Sequence, residues 1–248
     1  MAGIELIRPD WPAPASVRAL ATTRAGGVSI GPYASLNLGD HVADAAGQVT
    51  ANRRHLRSAA ALPAEPCWLD QTHGNEVLLL RESGPPRQAD GALTRRAGLV
   101  CAVLTADCLP VLLCDRAGTM VAAVHAGWRG LAAGILKEAV VAFETAGVTA
   151  GELLAWLGPA IGAAAYEVGD DVRAAFAAGG DASAFERNVA GRWQCDLYRL
   201  ARARLAALGV ATVSGGGFCT HREVDRFFSY RRDGQCGRQA TLIWLESP

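Results

Sequence analysis

Three apolar runs crowded into the middle of the chain restrict its fold more than any other feature: LVCAVL (99 to 104), PVLLCD (110 to 115) and TMVAAVH (119 to 125). Each has the length and the aliphatic, β-branched content of a core strand, and DRAG at 115 to 118 supplies a turn between the last two. From Leu131, apolar residues at 131, 135, 139 and 143 recur at helical spacing as far as Gly147. His125 therefore closes a strand, and Arg129 falls just before a helix. Further strands are expected at 17 to 22 and 77 to 81, and helices at 49 to 60, with Arg53, Arg54 and Arg57 on the polar side, and at 197 to 208, ending at Gly209. LNLGDHVAD reads as loop, and the tail FFSYRRDGQCGRQATLIWL as two strands joined by an Asp-Gly turn. This mixture of antiparallel turns and helices favours an α+β fold, with mixed β-sheets packed between helices, over a doubly wound parallel sheet.

With 248 residues, half of them apolar, the chain can bury a sizeable core. The alanine-rich stretches at 58 to 64 and 174 to 184 are too short to be linkers, so residues 1 to 248 read as a single domain. The 24 basic and 24 acidic residues cancel without forming blocks, which argues against a nucleic-acid or anionic-membrane partner and for a small molecule. The N-terminus lacks a signal-peptide pattern, and no apolar run reaches the roughly 18 residues of a membrane span. Seven scattered cysteines without a C-x-x-C pair suit reduced thiols, and the cytoplasm is the expected compartment. A monomer is compatible with all of this, although nothing fixes the oligomeric state.

Among only five histidines, His73 lies in DQTHGNEV ahead of a strand and His125 in AVHAGWRG at the end of one, while Cys108 sits between two strands in TADCLP. Their separations form no local metal motif, and a core thiol with two hydrogen-bonded imidazoles would explain each residue singly. Two details favour a common site. Each residue stands among small or turn-forming neighbours that permit close approach, and two His with one thiolate leave a fourth tetrahedral position open, as catalytic zinc requires.

DQTHGNEV, TADCLPVLL, AVHAGWRG, LGPAIG and FFSYRRDG, in this order over about three quarters of the chain, resemble the YfiH-like family, also called the laccase-domain or multicopper polyphenol oxidase family. SLNLGDHVAD resembles its N-terminal motif. GAAAY at 162 to 166 and Cys236 depart from the family pattern without touching the proposed ligands. The resemblance implies a fold similar to the cysteine-hydrolase-like sandwich and assigns the metal ligands to His73, Cys108 and His125. Five histidines and two methionines cannot build a four-copper laccase cluster, so a single copper bound in place of zinc is the most an oxidase reading allows.

The activity implied by the resemblance is zinc-dependent phosphorolysis of adenosine, inosine and 5′-methylthioadenosine, with adenosine deamination as a second activity. Phosphorolysis needs a guanidinium for phosphate: Arg129 comes first, Arg231 and Arg232 second, with a surface or structural ion pair an equal reading of Arg129 and the stronger one of Arg231 and Arg232. Deamination needs a proton-shuttling carboxylate, for which Asp107 and Glu76 are available, but the cytidine-deaminase zinc signature is absent. Trp128 can stack on a base or fill the core. Asn37 and His41 are expected to close over the site, Asn37 by hydrogen bonds to substrate, unless it caps a turn. His221 reads as structural, and His55, in a helix with three arginines, as part of a solvated face. The competing enzyme is a Cys/His amidase editing peptidoglycan precursors, in which Cys108 is a thiolate nucleophile and His125 or His73 its base. A non-catalytic binding module is the third reading.

Overall fold

The computed structural model describes residues 3–177 and 181–246. Part of the alanine-rich stretch 174 to 184, and the extreme termini of the expected domain, lie outside the described residues.

The strands in chain order are β1 (Leu6–Ile7), β2 (Val17–Thr22), β3 (Leu69–Asp70), β4 (Val77–Leu79), β5 (Arg87–Gln88), β6 (Gly91–Thr94), β7 (Val100–Thr105), β8 (Leu109–Asp115), β9 (Val121–Ala126), β10 (Leu153–Leu157), β11 (Glu167–Val168), β12 (Phe185–Arg187), β13 (Trp193–Cys195), β14 (Thr212–Gly215) and β15 (Gln239–Leu245). The helices are α1 (Ala46–Ala59), α2 (Trp128–Ala133), α3 (Ile135–Thr145), α4 (Asp170–Ala174), α5 (Leu197–Ala207) and α6 (Tyr230–Asp233). A four-stranded sheet runs β1-β2-β15-β7 and a six-stranded sheet β14-β10-β8-β9-β6-β4; both main sheets are built largely of antiparallel pairs.

The two sheets pack face to face, and the side chains say how. Val111 and Leu113 of β8 and Ala122 and Val124 of β9 join a cluster with α3 and α5, whereas Leu112, Cys114, Val121 and Ala123 join Cys101, Val103 and Ile243 between the sheets. Leu56 of α1 packs with Val100, Ala102 and Leu242 on the outer face of the four-stranded sheet. The period-two alternation of Cβ directions thus buries both faces of the central strands, which is why β7, β8 and β9 carry no polar face. The result is the expected α+β fold, with an antiparallel four-stranded sheet and a mixed six-stranded sheet between helical layers. No helix of the described residues is long and apolar enough to cross a membrane.

The predicted turn at 115 to 118 joins β8 to β9, and Asp115 fixes it by accepting from the Thr119 and Met120 backbone N–H groups. Two expectations change. The helix expected from Leu131 to Gly147 is broken at Gly134 (φ +90°), so α2 begins at Trp128 and Arg129 stands in its first turn rather than before it. The tail forms one strand, not two: FFSYRR enters α6, capped by the Ser229 hydroxyl. The cause is Gln239, whose side-chain amide accepts from Phe228 N–H at 3.0 Å and donates to Phe228 O at 3.3 Å. That amide satisfies the backbone groups a strand partner would otherwise need, while the rings of Phe227 and Phe228 are both buried.

Candidate metal centre

Antiparallel pairing places the end of β9 beside the start of β8, with His125 opposite Pro110. Cys108 immediately precedes β8, and His73 arrives on the loop between β3 and β4. The ligating atoms of His73, Cys108 and His125 lie within 4.8 Å of one another, and the two imidazoles meet edge to face with centroids 4.8 Å apart. Among the described residues this is the one group of three or more His, Cys, Asp or Glu side chains so arranged.

One residue that the motifs do not mark organises the trio. Asp90, fully buried between β5 and β6, accepts from Nδ1 of His125 at 2.7 Å, from the backbone N–H groups of Thr72 (3.1 Å), His73 (2.9 Å) and Gly74 (2.7 Å), and from the Thr72 hydroxyl (3.1 Å). The same carboxylate therefore orients one imidazole and holds the backbone beneath the other, whose residue has φ +61°. With Nδ1–H donated to Asp90, Nε2 of His125 carries the lone pair available for a ligand. The local signal is an Asp directly before Gly91 in QADGAL, but nothing in that stretch announces its distant partners.

Burial alone would raise the Cys108 thiol, but the charges and hydrogen bonds of His125 and His73 pull it below its ordinary range. Burial likewise opposes the charged form of His125, yet Cys108 and Asp90 carry its pKa above the usual imidazole value. Asp90 is held well below the usual carboxylate range, His125 and the backbone donors outweighing its own burial. Three favourable charges meeting in a small space are the electrostatics of a ligand set that binds as thiolate.

The donor set fits a tetrahedral cation. Bonds of about 2.0–2.3 Å place ligand atoms roughly 3.5 Å apart, so a modest contraction from the observed spacing suffices. The small residues around the ligands have a definite role: a Cβ on Gly127 would lie 2.9 Å from Cys108 Sγ and 3.4 Å from His73 Cδ2. A Cβ on Gly130 would stand 2.8 Å from Gly74 O, so the first turn of α2 approaches the His73 loop this closely only because Gly130 lacks a side chain.

The other candidates divide. Asp107, with φ +92°, accepts from Thr220 Oγ1 at 2.6 Å and from the Arg231 backbone N–H at 2.7 Å, so both of its oxygens are engaged in holding the neighbouring wall. Arg231 lies with its guanidinium 5.1 Å from the Tyr166 ring centroid and donates to Glu167 O. Burial, reinforced by Cys108, pushes the Tyr166 hydroxyl above its ordinary range, which marks this ring as a neighbour of the centre. Arg232 is committed to the carbonyls of Thr220, His221 and Phe227 and to Asp233. Arg129 is exposed and lies over the half-buried Trp128 at 4.5 Å. Asn37 is corrected: it is fully buried, donates to Gly39 O and Asp44 Oδ2, and accepts from Gly39 and Arg238 N–H, so it organises the N-terminal loop and has no group left for substrate. Glu76 and His41 are exposed, and His41 stands beside Asp40.

Fold and site together define a single-domain α+β sandwich with a two-histidine, one-cysteine centre at its strand ends. The chain matches the family model described as multi-copper polyphenol oxidoreductase laccase over residues 18–246, and it belongs to that family. It is 54% identical to a Pseudomonas aeruginosa protein named purine nucleoside phosphorylase, over 97% of this chain and 98% of that one. To the Escherichia coli protein named purine nucleoside phosphorylase YfiH it is 51% identical, over 97% and 99% of the two chains. The crystal structure of Neisseria meningitidis protein NMB0706 superposes with a TM-score of 0.92 at 49% identity, covering 98% of this chain and 99% of that one.

Proposed function

We propose that this chain is a zinc-dependent purine nucleoside phosphorylase working at His73, Cys108 and His125, on adenosine, inosine and 5′-methylthioadenosine, with adenosine deamination as a side activity. The observation that carries the reading is the convergence of the three ligands on one point, in a chain about half identical to proteins named for this activity. In phosphorolysis a phosphate oxygen bonds to C1′, the C1′–N9 bond breaks, and the purine leaves with a proton. The phosphate needs a fixed cation, a role this reading gives to Arg129, in the first turn of α2, and to Arg231, which lies on the Tyr166 ring. His73, Cys108 and His125 would hold the zinc, which would supply Lewis-acid polarisation there. Asp90 keeps His125 in the tautomer that binds through Nε2, and copper is the alternative occupant of the same donors. Seven unpaired cysteines suit the cytoplasm.

The geometry also favours one second reading. Cys108, His125 and Asp90 form a thiolate, imidazole and carboxylate in sequence, the arrangement of a cysteine hydrolase, and an amidase acting on peptidoglycan precursors would use it without metal. Incubation of zinc-loaded protein with adenosine, with and without phosphate, separates the two. Adenine and ribose 1-phosphate formed only with phosphate, and lost in Cys108→Ala together with a stoichiometric metal, support the phosphorylase; inosine formed in either condition reports deamination. No product in either condition, with covalent trapping of Cys108 by an electrophilic amide in metal-free protein, refutes it.

A further inference from the structure

Helix α1 reads AGQVTANRRHLRSA, with three arginines and no acidic residue. Arg54 and Arg57 are three residues apart and Arg53 and Arg57 four, so their guanidiniums share one helical stripe, where like charges repel and destabilise the helix. A chain with zero net charge has carboxylates to spare for such positions, yet none stands on this helix. Among the described residues, the guanidiniums of Arg54 and Arg57 have neither a hydrogen-bond partner nor a carboxylate within ion-pair distance.

The stripe lines a cleft of about 350 Å³ formed by Thr50, Arg53, Arg54, Arg57 and Glu65. Arg53 is its rigid element: it lies 4.4 Å over the Trp68 ring, donates through Nε to Leu38 O, and is only 16% exposed. Its Nη2 is buried 3.2 Å from Asp40 Oδ2 without hydrogen-bonding geometry. Glu65, the one acidic residue lining the cleft, already accepts from Trp68 Nε1 at 2.8 Å. Three guanidiniums thus face one engaged carboxylate, with Asp40 offsetting only Arg53. The cleft lies with α1 on the outer layer of the four-stranded sheet, and none of His73, Cys108 or His125 belongs to that layer.

We infer that this cleft is a second ligand site, for a small molecule carrying a diphosphate or two adjacent phosphate groups. Planar guanidinium forks pair bidentately with phosphate oxygens, and two partner-free forks one helical turn apart suit an anion with two charged centres. The cleft is larger than a single phosphate needs and reaches the lower range of small-molecule sites. The inference is independent of the phosphorolysis reading.

Calorimetric titration of inorganic pyrophosphate tests it, performed on the wild-type protein and on Cys108→Ala, where withdrawal of a metal contributes no heat. Saturable binding is expected in both, weakened at least about tenfold by Arg54→Gln or Arg57→Gln, since a charge-assisted hydrogen bond is worth that or more. The free proteins carrying either substitution should melt no lower than the wild type, since one of two repelling charges has been removed. Binding that survives Arg54→Gln with Arg57→Gln, or no binding at millimolar pyrophosphate, overturns the site. So does a fall of several degrees in the melting temperature of the unliganded variants, which would give these arginines to the fold. Binding to RNA or to anionic vesicles with none to pyrophosphate would overturn the small-ligand assignment.

Discussion

Replacing Asp90 by Asn keeps the side chain's shape and removes its charge, and the hydrogen bonds around it set the size of the effect. The carboxylate accepts five of them, one from the His125 ring and four from Thr72, His73 and Gly74. An amide retains one acceptor oxygen and turns its NH2 toward donors. If the oxygen stays with His125 and His73, the nitrogen faces the N–H groups of Thr72 and Gly74. Leaving these two part-buried donors unmet and removing the charged partner of the buried His125 costs about 3–5 kcal/mol together, the range for breaking a buried pair. Urea denaturation of the metal-free protein should show this loss. Competition with a chelator should show metal affinity falling about 10- to 100-fold, because His125 loses its orienting partner. The pH dependence has a definite sign. The folded-state pKa of Asp90 is depressed, so its contribution is complete above the unfolded value of about 3.9 and disappears as pH falls below it. An Asp90→Asn protein within about 0.5 kcal/mol of wild type, with unchanged metal affinity, would refute the claim that this carboxylate builds the centre.

Gly127→Ala should fold and yet bind metal more weakly, since its new methyl meets Cys108 Sγ at 2.9 Å; Gly151→Ala, with open space at that position, is the control, and equal metal content in both would contradict the packing argument. Iodoacetamide applied to native metal-free protein should modify Cys108 below the usual thiol pH range, whereas Cys101, Cys114 and Cys195, whose thiols burial raises, stay intact by peptide mass analysis, and zinc should protect Cys108. Gln239→Leu should cost about 2–4 kcal/mol in chemical denaturation, because Phe228 N–H and C=O lose their partners in a dry environment.

Strand positions are legible in the sequence because they depend on local pattern, whereas the candidate ligands form no local motif and are singled out by their neighbours and by the family resemblance. Aliphatic runs mark β7, β8 and β9, and scarce imidazoles set among glycines mark His73 and His125. The relations that complete the centre are not local. Asp90 meets His73 and His125 across separations that neither periodicity nor turn chemistry encodes, and its isolated Asp-Gly looks like any turn. Asn37 misleads for a related reason: an Asx residue in a loop offers the same atoms to substrate and to backbone, and only its burial and four filled hydrogen bonds decide between them. FFSYRR has strand composition, but Gln239 supplies from its side chain what a neighbouring strand would have supplied.

That glutamine has a wider consequence. It hangs the segment bearing Thr220 and Arg231 from β15, a member of the four-stranded sheet, while His125 and Cys108 stand at strand ends of the six-stranded sheet. Asp107, on the link from β7 to β8, clamps one assembly to the other. Any sliding of the two sheets would alter the gap between the His73, Cys108 and His125 side chains and the facing wall, so the aperture of the candidate site is a property of sheet-to-sheet registration, open to adjustment by substitutions deep in the apolar seam.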